Sequence, residues 1–151
     1  VSAVEVVEAY LSGLPGPVRR LAHTEWGLTL EPEAAGGHPL DVGIRIADEL
    51  LRAQAPAVPA HPALDPWMLL HWNRQTRLVR FGSTRSGDLW VHADAPVAGL
   101  EARGIDRLLG LVVQGAVRAR EYASAAAEAA AGTEEPERSW LSGEARPPAA
   151  D

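Results

Sequence analysis

The 151-residue sequence contains no cysteine and no lysine. Without cysteine there is no disulfide framework, no thiolate zinc site and no cysteine nucleophile, so three chemistries are excluded at once. Without lysine, all 14 basic residues are arginine, a bias that GC-rich codon usage explains without any chemical demand. The balance of charge is −6, and no basic cluster offers the electrostatic footprint that nucleic acids or anionic membranes require. No run approaches the ~18 apolar residues of a membrane span. The first residues, Val1-Ser2-Ala3-Val4-Glu5, lack a basic segment followed by an apolar one. The expectation is a cytoplasmic protein that binds neither nucleic acid nor membrane.

What is present is ordinary for a folded chain: 46% hydrophobic and 23% charged residues, enough for one core in a chain of this length. A capping box, Ser2 with Glu5, opens a helix whose Val4, Val7 and Leu11 share a face until Gly13 and Pro15 stop it. Trp26, Leu28 and Leu30 alternate with Glu25, Gly27 and Thr29 over residues 21–31, the period of a half-buried strand. Leu40, Val42, Ile44 and Ile46 alternate in the same way, and residues 50–58 read as their hairpin partner, with Pro56 marking an early end or a sheet edge. Asp65-Pro66 starts a second helix that runs to about Arg74. Strands at 77–83 and 88–95 follow, joined by Thr84-Arg85-Ser86-Gly87. A long helix then spans about 102–131, with Ile105, Leu108, Leu109, Val112, Val113, Ala116 and Val117 as its apolar stripe. The expected layout is a domain over residues 1–131 and, over 132–151, a flexible acidic tail rich in proline and alanine.

Little in this frame resembles an active site. His23, His38, His61, His71 and His92 are scattered, with no i, i+4 pair for a metal. No Gly-x-Ser-x-Gly elbow and no glycine-rich phosphate loop occurs. Carboxylate pairs such as Glu101 with Asp106, or Asp41 with Asp48, sit where caps and turns use acids. No catalytic, cofactor-binding or metal-ligating residue is therefore assigned, and no cofactor is expected. Arginine is dense in the run from Asn73 to Phe81, yet Arg77 and Arg80 differ in strand parity and so point to different faces. The helix at 66–74 carries Trp67, Met68, Leu69, Leu70 and Trp72, apolar nearly all round, so one sheet cannot cover it.

Taken in order, the elements read helix, three strands, helix, two strands, long helix. With Trp67-Met68-Leu69-Leu70, Asn73, Arg80-Phe81, Gly87-Asp88-Leu89-Trp90-Val91, Pro96 and Leu108-Leu109, that order resembles the YbjN-like and type III secretion chaperone-like superfamily over roughly residues 1–122. Ala47-Asp48-Glu49 departs from the pattern, because a glycine is usual in that turn. The resemblance implies an α+β fold with a five-stranded antiparallel sheet packed with helices. It also implies a non-enzymatic homodimer or adaptor that holds extended segments of partner proteins, often described as a sensory transduction regulator. Candidate partner or dimer contacts are Trp67, Trp72, Arg74, Arg77, Arg80 and Trp90. The competing expectation is a small-molecule or anion sensor, whose pocket would need Trp26, Trp90 and some of the arginines on one surface.

Overall fold

A computed structural model describes residues 1–141, with side chains through residue 132. The last ten residues of the expected tail lie outside the described residues. The helices are α1 (Ala3–Ser12), α2 (Pro66–Gln75) and α3 (Ala102–Leu141). The strands are β1 (Val18–Ala22), β2 (Glu25–Leu30), β3 (Leu40–Ala47), β4 (Leu50–Val58), β5 (Val79–Ser83) and β6 (Leu89–Pro96). All neighbours are antiparallel, in the order β1-β2-β3-β4-β6-β5. The α+β class is as expected, but the sheet has six strands rather than five. The extra strand is β1, which leaves residues 18–22 almost wholly exposed. A strand with little to bury shows no apolar alternation, so residues 21–31 read as one strand where the chain makes a hairpin.

Local chemistry sets the element ends. Ser2 accepts from the Glu5 N–H while Glu5 accepts from the Ser2 N–H, which completes the capping box of α1. Asp65 caps α2 through the Trp67 N–H, with Pro66 at the first helical position. The glycine-free turn between β3 and β4 is a tight two-residue hairpin. Asp48 and Glu49 both take positive φ, 52° and 60°, and Ala47 pairs directly with Leu50. This is the twist that a type I′ turn supplies, adopted here at a steric cost that glycine would remove. Pro56, expected at an edge, lies inside the sheet. Beyond Gln54, however, β4 has no β3 partner and pairs only with β6, with a register shift after Pro56. The missing N–H therefore falls where the ladder is one-sided.

One face of the sheet is covered and the other is open. Trp26, Val42, Ile44, Leu51, Ala53, Ala55, Val79, Phe81, Leu89, Val91 and Ala93 form the covered face. Against it α3 lays Ile105, Leu108, Leu109, Val112, Ala116 and Ala119, each large side chain contributing roughly 1.5–3 kcal/mol by burial. At Gly115 the helix lies so close to the sheet that a Cβ would come within 3.0 Å of Val91 Cγ1. The open face carries a charged row across four strands. Glu25 pairs with Arg45 at 3.4 Å, Arg45 stands opposite Arg52, and Arg52 grips both oxygens of Asp94 at 2.7 and 2.9 Å. That grip holds the Asp94 carboxyl below its ordinary value.

Candidate protein-binding surface

The six candidate contacts do not converge on one surface. Trp67 stands 78% exposed on the outer side of α2, whereas Trp72, five residues on, turns inward. Its ring lies 5.6 Å from that of Phe81 and 5.1 Å from that of Tyr122, and the Arg118 guanidinium stacks 4.2 Å above it. Trp72 is therefore the residue that fastens α2 to the sheet and to α3, assisted by the Asp65 N–H donating to the Tyr122 hydroxyl at 3.0 Å. Arg74 and Arg77 are exposed, and their side chains make no ion pair among the described residues. Arg80 folds back on its own junction and donates to the Thr76 and Val79 carbonyls at 3.1 and 2.8 Å. Trp90 lies on the open face, opposite Pro56 and Gly82.

The sensor pocket does not assemble. Trp26 is on the covered face, directly opposite the buried Ile44, while Trp90 is on the other side of the sheet. One member of each carboxylate pair has a structural partner. Asp106 accepts from the Tyr10 hydroxyl at 2.8 Å and Asp41 from that of Thr29 at 2.6 Å. Glu101 supplies the carbonyl that receives the first N–H groups of α3. Burial and Asp106 together push the Tyr10 hydroxyl up to about 12. No group of three or more histidine, aspartate or glutamate residues among the described residues could hold a metal. No described helix is long and apolar enough to cross a membrane.

What the structure does bring together is an apolar groove of about 500 Å³ between α2, the segment before it and the β5–β6 hairpin. Pro62, Leu64, Leu69, Leu70, Phe81 and Leu89 line it. Outside the groove, Trp67, Met68 and Leu78 remain exposed on and just after α2, between 40% and 78%. Leu78 is also held at φ 64°, a conformation unfavourable for an apolar side chain and one that clusters at functional sites.

Two features were missed in the sequence. Asn73 donates to the Phe81 carbonyl at 3.0 Å and accepts from its N–H at 2.7 Å, so one carboxamide takes the place of a neighbouring strand along β5. Arg120 donates to four backbone carbonyls: Ala57 at 3.0 Å, Ala35, His38 at 2.7 Å and Pro39 at 2.9 Å. Gly36 and Gly37, at φ 79° and 98°, bend the loop that presents three of these. A charged residue one turn beyond Ala116, on the apolar side of α3, was the available signal for Arg120. For Asn73 there was none beyond its place in the quoted pattern.

Comparison with known proteins adds a family and a fold. Residues 43–124 match the sequence profile named YbjN, described as "Putative bacterial sensory transduction regulator". A comparison with curated proteins found no match. Among solved structures, the chain is similar to one in the complex of the Yersinia pestis type III secretion chaperone SycH with a stable fragment of YscM2. There the identity is 14% and the TM-score 0.57, over 78% of this chain and 98% of that one. It is also similar to a chain of the HopA1–SchA chaperone–effector complex, at 12% identity and TM-score 0.58 over 76% and 91%. A chain of the ExsC–ExsE complex matches at 19% identity and TM-score 0.54, over 75% and 85%.

Proposed function

The chain belongs to the YbjN family, and from that premise we propose that it is a non-enzymatic protein-binding module of chaperone or adaptor type. It holds an extended segment of a partner polypeptide in a regulatory role, and it works as a homodimer in the cytoplasm. The observation that carries this reading is the unpartnered apolar surface of α2, with Trp67 at 78% exposure beside the groove lined by Leu69, Leu70 and Phe81. A patch of large apolar side chains on a small domain costs solubility unless another chain covers it, and aromatic anchors of this kind dominate interface energies. The similar folds come from complexes of chaperones with effector or partner fragments, which supports protein binding as the class of activity.

The dimer is tested by light scattering. The wild-type chain should give about twice its 16.1 kDa mass at micromolar concentration, and Trp67→Glu should return it to monomer. Trp72→Glu is the wrong probe, because Trp72 packs within its own subunit. A wild-type monomer at every concentration would remove the dimer from the proposal. Partner binding is tested on arrays of extended peptides from the host proteome. Enrichment of no sequence class, with a small molecule that reproducibly stabilises the fold, would replace the reading with a sensor.

A further inference from the structure

Of the three helices, α2 alone fully buries no side chain. Its inner stripe is Leu69, Trp72 and Asn73, each half-buried, and beside it the groove of about 500 Å³ stays open. No ion pair joins α2 to the rest of the chain among the described residues. Three aromatic or polar ties hold it instead. The Trp72 ring meets Phe81, Tyr122 and the Arg118 guanidinium. The Asn73 carboxamide bonds to both backbone groups of Phe81, and the Asp65 N–H donates to the Tyr122 hydroxyl.

Both flanks of the helix are free to swing. Residues 59–65 form neither helix nor strand. After the Ala60 N–H, which donates to Asp88 at 2.9 Å, they make no hydrogen bond to the sheet among the described residues. On the other side, Thr76 and Arg80 bond to groups within four residues of themselves. There Leu78 is held at φ 64°, a left-handed conformation whose steric cost falls away once the helix is released. Segments with few buried apolar contacts open locally, well below the free energy of global unfolding.

We propose that residues 61–78, with α2 at their centre, form a latch that opens as one unit while the sheet and α3 stay folded. The groove has walls on both sides of the latch, Leu69 and Leu70 on α2 and Phe81 and Leu89 on the β5–β6 hairpin, so it exists only in the closed state. A partner that covers Trp67 and the groove together binds the closed state alone and shifts the population towards it. The latch thereby switches the binding site on and off. This last step rests on the protein-binding reading above, whereas the opening itself does not.

The test is native-state hydrogen exchange of the full chain labelled with ¹⁵N. The amides of α2 and of Phe81 should share one level of protection, about 100-fold or more below that of Val91 and Ala93 in β6, a strand paired on both sides. Tyr122→Phe keeps the ring and removes the acceptor for Asp65. It should speed the latch amides about three- to ten-fold and leave those of β6 unchanged. Equal protection of α2 and β6 overturns the latch, as does a Phe81 amide that stays with β6 while α2 exchanges, or a Tyr122→Phe effect on both sets alike. Where light scattering gives a dimer, the latch amides should slow further, and unchanged exchange in the dimer overturns the switch. A chain that passes the exchange tests yet stays monomeric and captures no peptide keeps the latch and loses the protein-binding reading.

Discussion

Arg120 is the residue whose substitution should be felt most widely. Its guanidinium ties α3 to the end of β4 and to the loop before β3 through four carbonyls, and burial pulls its basicity below the ordinary value, with no carboxylate ion-paired to it among the described residues. Arg120→Ala leaves the Ala57 and Ala35 carbonyls without this donor in partly buried surroundings and those of His38 and Pro39 in exposed ones, so it should cost about 2–4 kcal/mol in urea unfolding. Arg120→Lys should recover only part, because an ammonium cannot reach oxygens spread around a planar fork. Tyr10 gives a second residue-scale prediction, in pH. Its hydroxyl rises from 10.0 to about 12 on folding, so the folded chain keeps its proton where the unfolded chain loses it. The stabilisation is thus complete below pH 10.0 and lost as pH climbs towards 12. The stability difference between wild type and Tyr10→Phe should shrink over that window and be constant below it. A difference that does not change with alkaline pH would mean that the Tyr10–Asp106 bond does not persist in solution.

At the scale of the element, β5 is a strand whose exposed side is completed by a helix. Asn73→Ala should cost about 1–3 kcal/mol, because it strands a donor and an acceptor at Phe81, and hydrogen exchange at the Phe81 amide should accelerate. Asn73→Asp separates the two bonds. It retains an acceptor for the N–H but sets a carboxylate against the Phe81 carbonyl, so it should remain destabilised. How far such elements could be read from sequence depended on whether they bury a face. The alternation of Trp26, Leu28 and Leu30, and of Leu40, Val42 and Ile44, reports their packing against the helices, so β2 and β3 were legible. The strands β5 and β6 and the caps of α1 and α2 were legible for comparably local reasons. By contrast, β1 has no inner row to betray it, and the positive φ of Asp48 and Glu49 is imposed by a hairpin whose sequence does not ask for it. The same limit applied to the candidate contacts. The 140° between Trp67 and Trp72 on a helix says that they face different ways, but only the positions of Phe81 and Tyr122 decide that Trp72 is the inner one.

At the scale of the molecule, a six-stranded sheet covered on one side is held by a single long helix, and the reach of that helix beyond the sheet is the remaining question of organisation. The last fully buried side chain of α3 is Ala119, and Tyr122 is the last whose ring packs on another ring. From there to Gly132 the residues are half-buried or exposed, while α3 itself runs Ala102–Leu141, past residue 131, where the sequence ended the helix. Every buried core residue among the described side chains lies at or before Ala119. The segment after Gly132 carries five acidic residues against two arginines and one apolar pair, Trp140-Leu141. That sequence lacks an apolar periodicity to pack on the body, and changes at the surface away from a core shift stability by about 0.5 kcal/mol or less. Truncation after Gly132 should stay within that bound in chemical denaturation. Truncation before Tyr122 should exceed it clearly, because it removes the ring that holds Trp72 and the hydroxyl that anchors the start of α2. If the shorter cut alone lowered stability by several kcal/mol, Trp140 and Leu141 would have to pack on the body. The unit that binds partners would then be the whole chain rather than its first 131 residues.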